Sequence, residues 1–262
     1  MLNFCSLYSG SSGNSLFVQS ENTKILIDCG VSCKKVQEAL NALDVDPTSI
    51  DAVLITHEHS DHVKGLGTFS KKFDVPIFAN QETLDNMEAQ TTKILDKNIH
   101  KFKVTDKFNI GDLEINPFSI SHDAANPCGF NIFKDNKKIS IATDIGTMDV
   151  KTVKHLEDSI FVLLESNYDP DILKCSPYPY LLKRRIAGPA GHLPNKEAGK
   201  TISHLMNSGL QCAMLGHLSK ENNFPELAYK TVAEELIANN QSENAISLSV
   251  ASRTEPGKLI EF

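Results

Sequence analysis

The chain has 262 residues, 40% hydrophobic and 23% charged, enough to bury the core of one large α/β domain over 1–262 without a second one. No apolar run reaches the ~20 residues that span a bilayer, and the first five residues lack the charged-then-apolar layout of a secretory signal, so a cytoplasmic protein without membrane contact is expected. The formal net charge of -7 excludes a surface that attracts nucleic acid as a whole, yet leaves room for a local basic patch.

In chain order, apolar runs of strand length come first, over 2–7, 16–18 and 25–27. Helical spacing follows at Val36, Leu40 and Leu43, and strands return over 52–55 and 75–78. A hairpin is legible where Phe130 and Ile132 precede the polar turn Lys134-Asp135-Asn136 and a strand over 139–142. After a strand over 161–164, Ala198, Ile202 and Leu205 mark a helix capped by Asn195 and ended by Gly209. A strand over 212–215, a helix opened by Phe224-Pro225-Glu226 and running to about Ile237, and a strand over 246–250 complete the series. The order fits two stacked sheets flanked by helices better than a regular strand-helix alternation.

Five of these strands stop at a polar, metal-capable residue: Asp28, His57, Asp144, Glu165 and His217. A strand end is where rigid backbone can hand a polar group to a cleft, so five such endings suggest one shared rim. The strongest signal is Thr56-His57-Glu58-His59-Ser60-Asp61-His62. His57 and His59 can point to one side as alternate residues of an extended chain, while Asp61 and His62 follow a turn and can face a second ion. Imidazole nitrogen and carboxylate oxygen suit Zn²⁺, Mn²⁺ or Fe²⁺. Glu58 points elsewhere in this reading.

The cluster resembles the metal-binding signature of the metallo-β-lactamase-fold superfamily, and nearly the whole chain follows that family's motif order. Asp28 in Ile27-Asp28-Cys29-Gly30 is similar to its first motif, His122 in Ser121-His122-Asp123 to the third, Asp144 in Thr143-Asp144-Ile145-Gly146 to the fourth, and His217 in Gly216-His217-Leu218-Ser219 to the fifth. The resemblance implies a four-layer αββα sandwich with the site at one edge of two sheets. It implies two divalent ions, Zn²⁺ or Mn²⁺, with His57, His59 and His122 on one, Asp61, His62 and His217 on the other, Asp144 between them, and Asp28 orienting the metal loop.

Three further features point towards phosphodiesters. The loop Tyr8-Ser9-Gly10-Ser11-Ser12-Gly13-Asn14-Ser15 is rich in backbone N–H groups, with Ser11, Ser12 and Asn14 as candidate substrate contacts; on residues alone it reads equally as a hairpin connection. Glu165 and His192 resemble the carboxylate and proton donor of nucleases in the tRNA-processing branch, although Ser166-Asn167 and Pro194 depart from that branch's neighbours. Tyr178, Tyr180, Lys183, Arg184 and Arg185 combine aromatic faces with cations, as an unpaired DNA strand requires, although such a run also suits a solvated helix face. Together these features resemble the YycJ/WalJ type within the superfamily. That resemblance implies a cytosolic DNA exonuclease working from 5′ ends, with Asp61, Glu165 and His192 catalytic. The alternatives left open are a hydrolase of a small lactone, thioester or cyclic phosphate, and a regulatory protein that keeps the metals without catalysis.

Overall fold

The computed structural model describes residues 1–87, 93–242 and 245–262. Two seven-stranded sheets lie face to face. The first is built from β1 (Asn3–Tyr8), β2 (Ser15–Gln19), β3 (Lys24–Ile27), β4 (Ala52–Leu54), β5 (Ile77–Asn80) and β6 (Ile99–Phe102). The second contains β7 (Phe108–Ile110), β8 (Leu113–Ser119), β9 (Cys128–Lys134), β10 (Lys137–Ala142), β11 (Phe161–Glu165), β12 (Cys212–Gly216) and β13 (Ser247–Val250), and the short β14 (Ile260–Glu261) returns to pair with β1. The orders are β14-β1-β2-β3-β4-β5-β6 and β13-β12-β11-β10-β9-β8-β7. Each sheet is antiparallel up to β3 or β10 and parallel beyond it.

Period-two alternation explains why these strands read as continuous apolar runs. In β3, Ile25 and Ile27 enter the core between the sheets while Leu26 faces outward. In β11, Phe161 and Leu163 point inward, and Val162 and Leu164 meet the opposite outer layer. Both faces are buried, as parallel strands covered by helices require. Phe4 and Phe161 meet across the sandwich with ring centroids 4.6 Å apart; full burial of such a side chain contributes about 1.5–3 kcal/mol.

On the first sheet's outer face pack α1 (Cys33–Ala42), α3 (Leu66–Phe73) and α4 (Gln81–Asn86), through Val36, Leu40, Phe69 and Leu84, with the single turn α2 (Ser60–Val63) at the sheet's end. The second sheet is covered by α5 (Val150–Leu156), α8 (Asn195–Met206) and α9 (Pro225–Ala238) through Leu156, Ile202, Leu205, Val232 and Leu236. These are the four αββα layers. Two further short helices, α6 (Pro170–Cys175) and α7 (Tyr180–Ile186), close a satellite cluster around Tyr168, Leu173 and Ile186.

Some local expectations shift. The strand expected over 75–78 occupies Ile77–Asn80, because Val75 is tied back to α3 by its N–H to the Ser70 carbonyl at 3.1 Å. Strands β6 to β8 were not expected. Pro117 inside β8 argues against a strand, and β6 carries exposed His100 and Lys101 at a sheet edge. Asn195 does not cap α8. It is the helix's first residue, fully buried, and its amide exchanges hydrogen bonds with that of Asn223 at 3.1 and 2.8 Å while accepting from Ser166 Oγ at 2.6 Å. A buried partner network outcompeted the local cap.

Candidate metal centre

The parallel strands end on one rim, as ligand sites in open α/β sheets commonly do. Asp28 follows β3, His57 lies just beyond β4, Asp144 beyond β10, Glu165 ends β11 and His217 follows β12. Three of these residues take the left-handed conformation, Asp28 at φ 61°, Asp144 at φ 62° and His217 at φ 54°. Asp and His enter that region more readily than most residues, but it still costs free energy and must be held by the surroundings. The His217 N–H donates to Ser9 Oγ at 2.8 Å and its carbonyl accepts from Asn167 Nδ2 at 2.7 Å. Neither Ser9 nor Asn167 was singled out from the sequence, since nothing local marks a side chain that braces a distant backbone.

The histidine-rich stretch follows β4 and turns at His59 into α2, which carries Asp61 and His62. Gly30 is required beside it: a Cβ there would stand 1.6 Å from the Asp61 carbonyl oxygen. Four of the five expected ligand imidazoles have one nitrogen pinned from behind. His62 Nδ1 donates to Asp28 Oδ2 at 2.7 Å, and Asp28 also accepts from Thr56 N at 2.9 Å and Thr56 Oγ1 at 2.8 Å. Because that hydroxyl donates to Asp28, it accepts from His57 Nδ1 at 3.0 Å. His122 Nδ1 donates to the Gly191 carbonyl at 2.9 Å, and His217 Nδ1 to Glu165 Oε1 at 2.8 Å. The partners are all acceptors, so each ring spends its Nδ1 proton on the protein behind it and turns Nε2 to the centre, the nitrogen that binds a metal once it is unprotonated.

Those free atoms converge. His57 Nε2, His217 Nε2 and Asp144 Oδ2 are fully shielded from solvent yet have no hydrogen-bond partner, a costly state for polar groups unless something further satisfies them. Ligand atoms of His57, His59 and His122 lie within 4.8 Å of one another, as do those of Asp61, His62 and His217 and those of His57, His62 and Asp144. His59 Nδ1 faces His122 Nε2 at 3.3 Å, and Asp144 Oδ2 stands 3.3 Å from His62 Nε2. A mixed nitrogen and oxygen set of this kind fits divalent metal binding. Asp144, Glu165, His192 and His217 also gather at that spacing, but both Glu165 oxygens are engaged. Oε1 accepts from His192 and His217, each at 2.8 Å, and Oε2 from Ile145 N at 2.6 Å and Leu193 N at 3.0 Å.

The electrostatics express the same crowding. Burial pushes His57 down, helped by the neighbouring imidazoles. Burial opposes charge on His62 too, but Asp144 and Asp28 outweigh it and hold that ring up at about 9. Burial would raise the Asp61 carboxyl, and His217 and His62 instead pull it well below the carboxylate range. For His192, Glu165 overcomes burial and raises the ring.

The remaining expected positions divide. Tyr178, Tyr180, Lys183 and Arg184 line one groove of about 490 Å³ with Tyr168 and Lys174, whereas Arg185 turns to the other side of α7 and pairs with Asp123. Asp123 in turn lies 3.4 Å from His122 Nε2. Ser11 and Ser12 are exposed at their loop tip. Asn14 is not: it is buried, accepts from Gly10 N at 2.9 Å and stands with Nδ2 3.0 Å from His62 Nε2, so it ties the loop to the cluster and is not a surface contact. Glu58 points away, accepting from Ala125 N at 2.8 Å.

Comparison with known proteins agrees with this geometry. Residues 23–217 match the Beta-lactamase superfamily domain. The chain is 36% identical over 232 residues to Exodeoxyribonuclease WalJ of Streptococcus pneumoniae serotype 2, strain D39, covering 88% of this chain and 86% of that protein. It is 34% identical to Exodeoxyribonuclease YycJ of Bacillus anthracis, covering 90% and 89%. Among solved structures, the metallo-β-lactamase fold protein YhfI from Bacillus subtilis superposes with a TM-score of 0.73 at 14% identity, covering 98% of each chain, which speaks to the fold. With that fold, this rim of histidines and carboxylates, and likeness to two exodeoxyribonucleases over 88% and 90% of its length, the chain belongs to the metallo-β-lactamase superfamily and, within it, to the WalJ/YycJ branch.

Proposed function

We propose that this protein is a metal-dependent DNA exonuclease that holds two divalent ions, Zn²⁺ or Mn²⁺. The observation that carries the reading is the convergence on one rim of His57 Nε2, His217 Nε2 and Asp144 Oδ2, all buried and without a hydrogen bond. The relatives' names supply the substrate class. His57, His59 and His122 would hold one ion, Asp61, His62 and His217 the other, with Asp144 between them. When bound, such ions supply Lewis-acid polarisation of a phosphodiester and activation of water at neutral pH.

The chain's own groups do the rest. His192 is held at Nδ1 by Glu165 at 2.8 Å, which leaves its other nitrogen to deliver a proton to the departing oxygen. Asp28 and Glu165 fix three rings between them. The tyrosine-lined groove beside α7 receives unpaired bases, and Lys183 and Arg184 neutralise phosphates. That groove is also what favours a polyanionic strand over a small ester.

The test is turnover of end-labelled DNA with added Zn²⁺ or Mn²⁺, using label at either end to give the direction. Wild-type protein degrades the DNA only with metal, and His59→Ala loses bound metal and activity together. Full activity of metal-replete His59→Ala overturns the reading.

A further inference from the structure

Arg253, a cation at the metal end, has no partner among the described residues. Arg253 follows β13, where the chain passes the Gly/Ser loop, and its stem crosses Gly10 so closely that a Cβ there would stand 2.8 Å from Cγ and Cδ. The glycine is what lets the arginine through. Arg253 is partly buried, and its Nη1 is fully shielded without a hydrogen-bond partner. Arg185 has Asp123; Arg253 makes no ion pair with any described carboxylate. A guanidinium in that state is costly until an anion completes it.

The surroundings suit such an anion. Arg253 lines a cleft of about 290 Å³ together with Ser219, Asn223, Ser252 and Thr254. The cleft is fastened to the candidate metal centre, because Ser219 lies two residues beyond His217. In addition, Ser9 N donates to the Ser252 carbonyl at 3.1 Å while Ser9 Oγ accepts from His217 N at 2.8 Å. Exposed Ser11 and Ser12 stand on the same loop. A planar fork of five donors matches the oxygens of a phosphate in pairs.

We propose that Arg253 anchors a phosphate-binding subsite on the His217 side of the cluster, and that it takes a phosphate of the bound DNA strand. The inference rests on the DNA-nuclease reading. Arg253→Gln raises KM for an oligodeoxynucleotide by roughly tenfold or more and makes the salt dependence of log KM shallower by about one. It leaves metal-dependent hydrolysis of bis(p-nitrophenyl) phosphate unchanged, since that substrate has no strand to reach the cleft, and this control also reports an intact fold. Arg253→Lys, which keeps charge but not the fork, recovers part of the loss. Substrates with a 5′-phosphate or a 5′-hydroxyl locate the source. Equal loss on both assigns a backbone phosphate, and loss only on the phosphorylated end assigns the terminal one. Wild-type KM in Arg253→Gln on both ends, or an equal fall on the small phosphodiester, overturns the subsite. Wild-type protein that cleaves no DNA refutes the nuclease reading instead.

Discussion

The two sheets furnish the rim in different ways. From the first sheet, His57, His59, Asp61 and His62 arrive within six consecutive residues, braced by Asp28. From the second, His122, Asp144, His192 and His217 arrive on four separate connections and Glu165 at the end of β11. One half is a local turn and the other exists only once four strands are in register. The brace differs accordingly: Asp28 pins one ring directly, while Glu165 pins two and caps two backbone N–H groups.

That contrast can be broken by mutation. Replacing a proposed ligand on either side, His59→Ala or His217→Ala, should remove metal-dependent DNA turnover down to background, measured alongside bound metal by elemental analysis. A surviving activity in one of them would show that the halves are not equal partners. Next, Glu165→Gln should cost more than Asp28→Asn, because it loosens two imidazoles instead of one. For each brace a loss of about 10–100-fold in metal affinity or activity is expected, with Glu165→Gln at the upper end, read from metal titrations of activity. Chelation should then lower the thermal midpoint, since ions at 100–1,000 times Kd stabilise the folded state by about 2.7–4.1 kcal/mol. Calorimetry with and without EDTA checks this.

The smallest effect belongs to the opposite end of the sandwich, where Asp112 links the sheets by accepting from Ser20 Oγ at 2.5 Å and Thr23 Oγ1 at 2.6 Å. Burial pushes this carboxyl up, but those hydroxyls and Lys134 pull it down to about 2. A folded-state value below the unfolded one means that the stabilisation is complete above about pH 4 and is lost as pH falls towards 2. Asp112→Asn should lower the midpoint by ~2–4 °C at neutral pH and flatten this part of the acid dependence, with turnover unchanged. A fall in turnover at constant stability would tie the far end to the rim.

Legibility followed the same division. The contiguous cluster could be read directly, because adjacent residues of one turn are neighbours whatever the rest of the chain does. Asp144, Glu165 and His217 were visible only as polar endings of apolar strands, a pattern common to many folds, and became informative through their shared order along the chain. Asn195 shows the opposite case, with good cap chemistry whose amide was drawn into a buried network with Asn223 and Ser166. Strand β8 hid behind Pro117 and β6 behind edge polarity.

By itself the sequence determined the layered α/β class, the two-faced burial of its central strands and the identity of the residues that gather at the rim, because hydrophobic periodicity and side-chain chemistry are local properties. Only the tertiary structure decided which nitrogen of each imidazole faces the centre, that Asn14 is buried, that Arg185 turns to Asp123 and that Arg253 stands without a counter-charge among the described residues. Those outcomes depend on partners that lie up to more than two hundred positions apart along the chain, and the packing of two sheets alone brings them within hydrogen-bond distance.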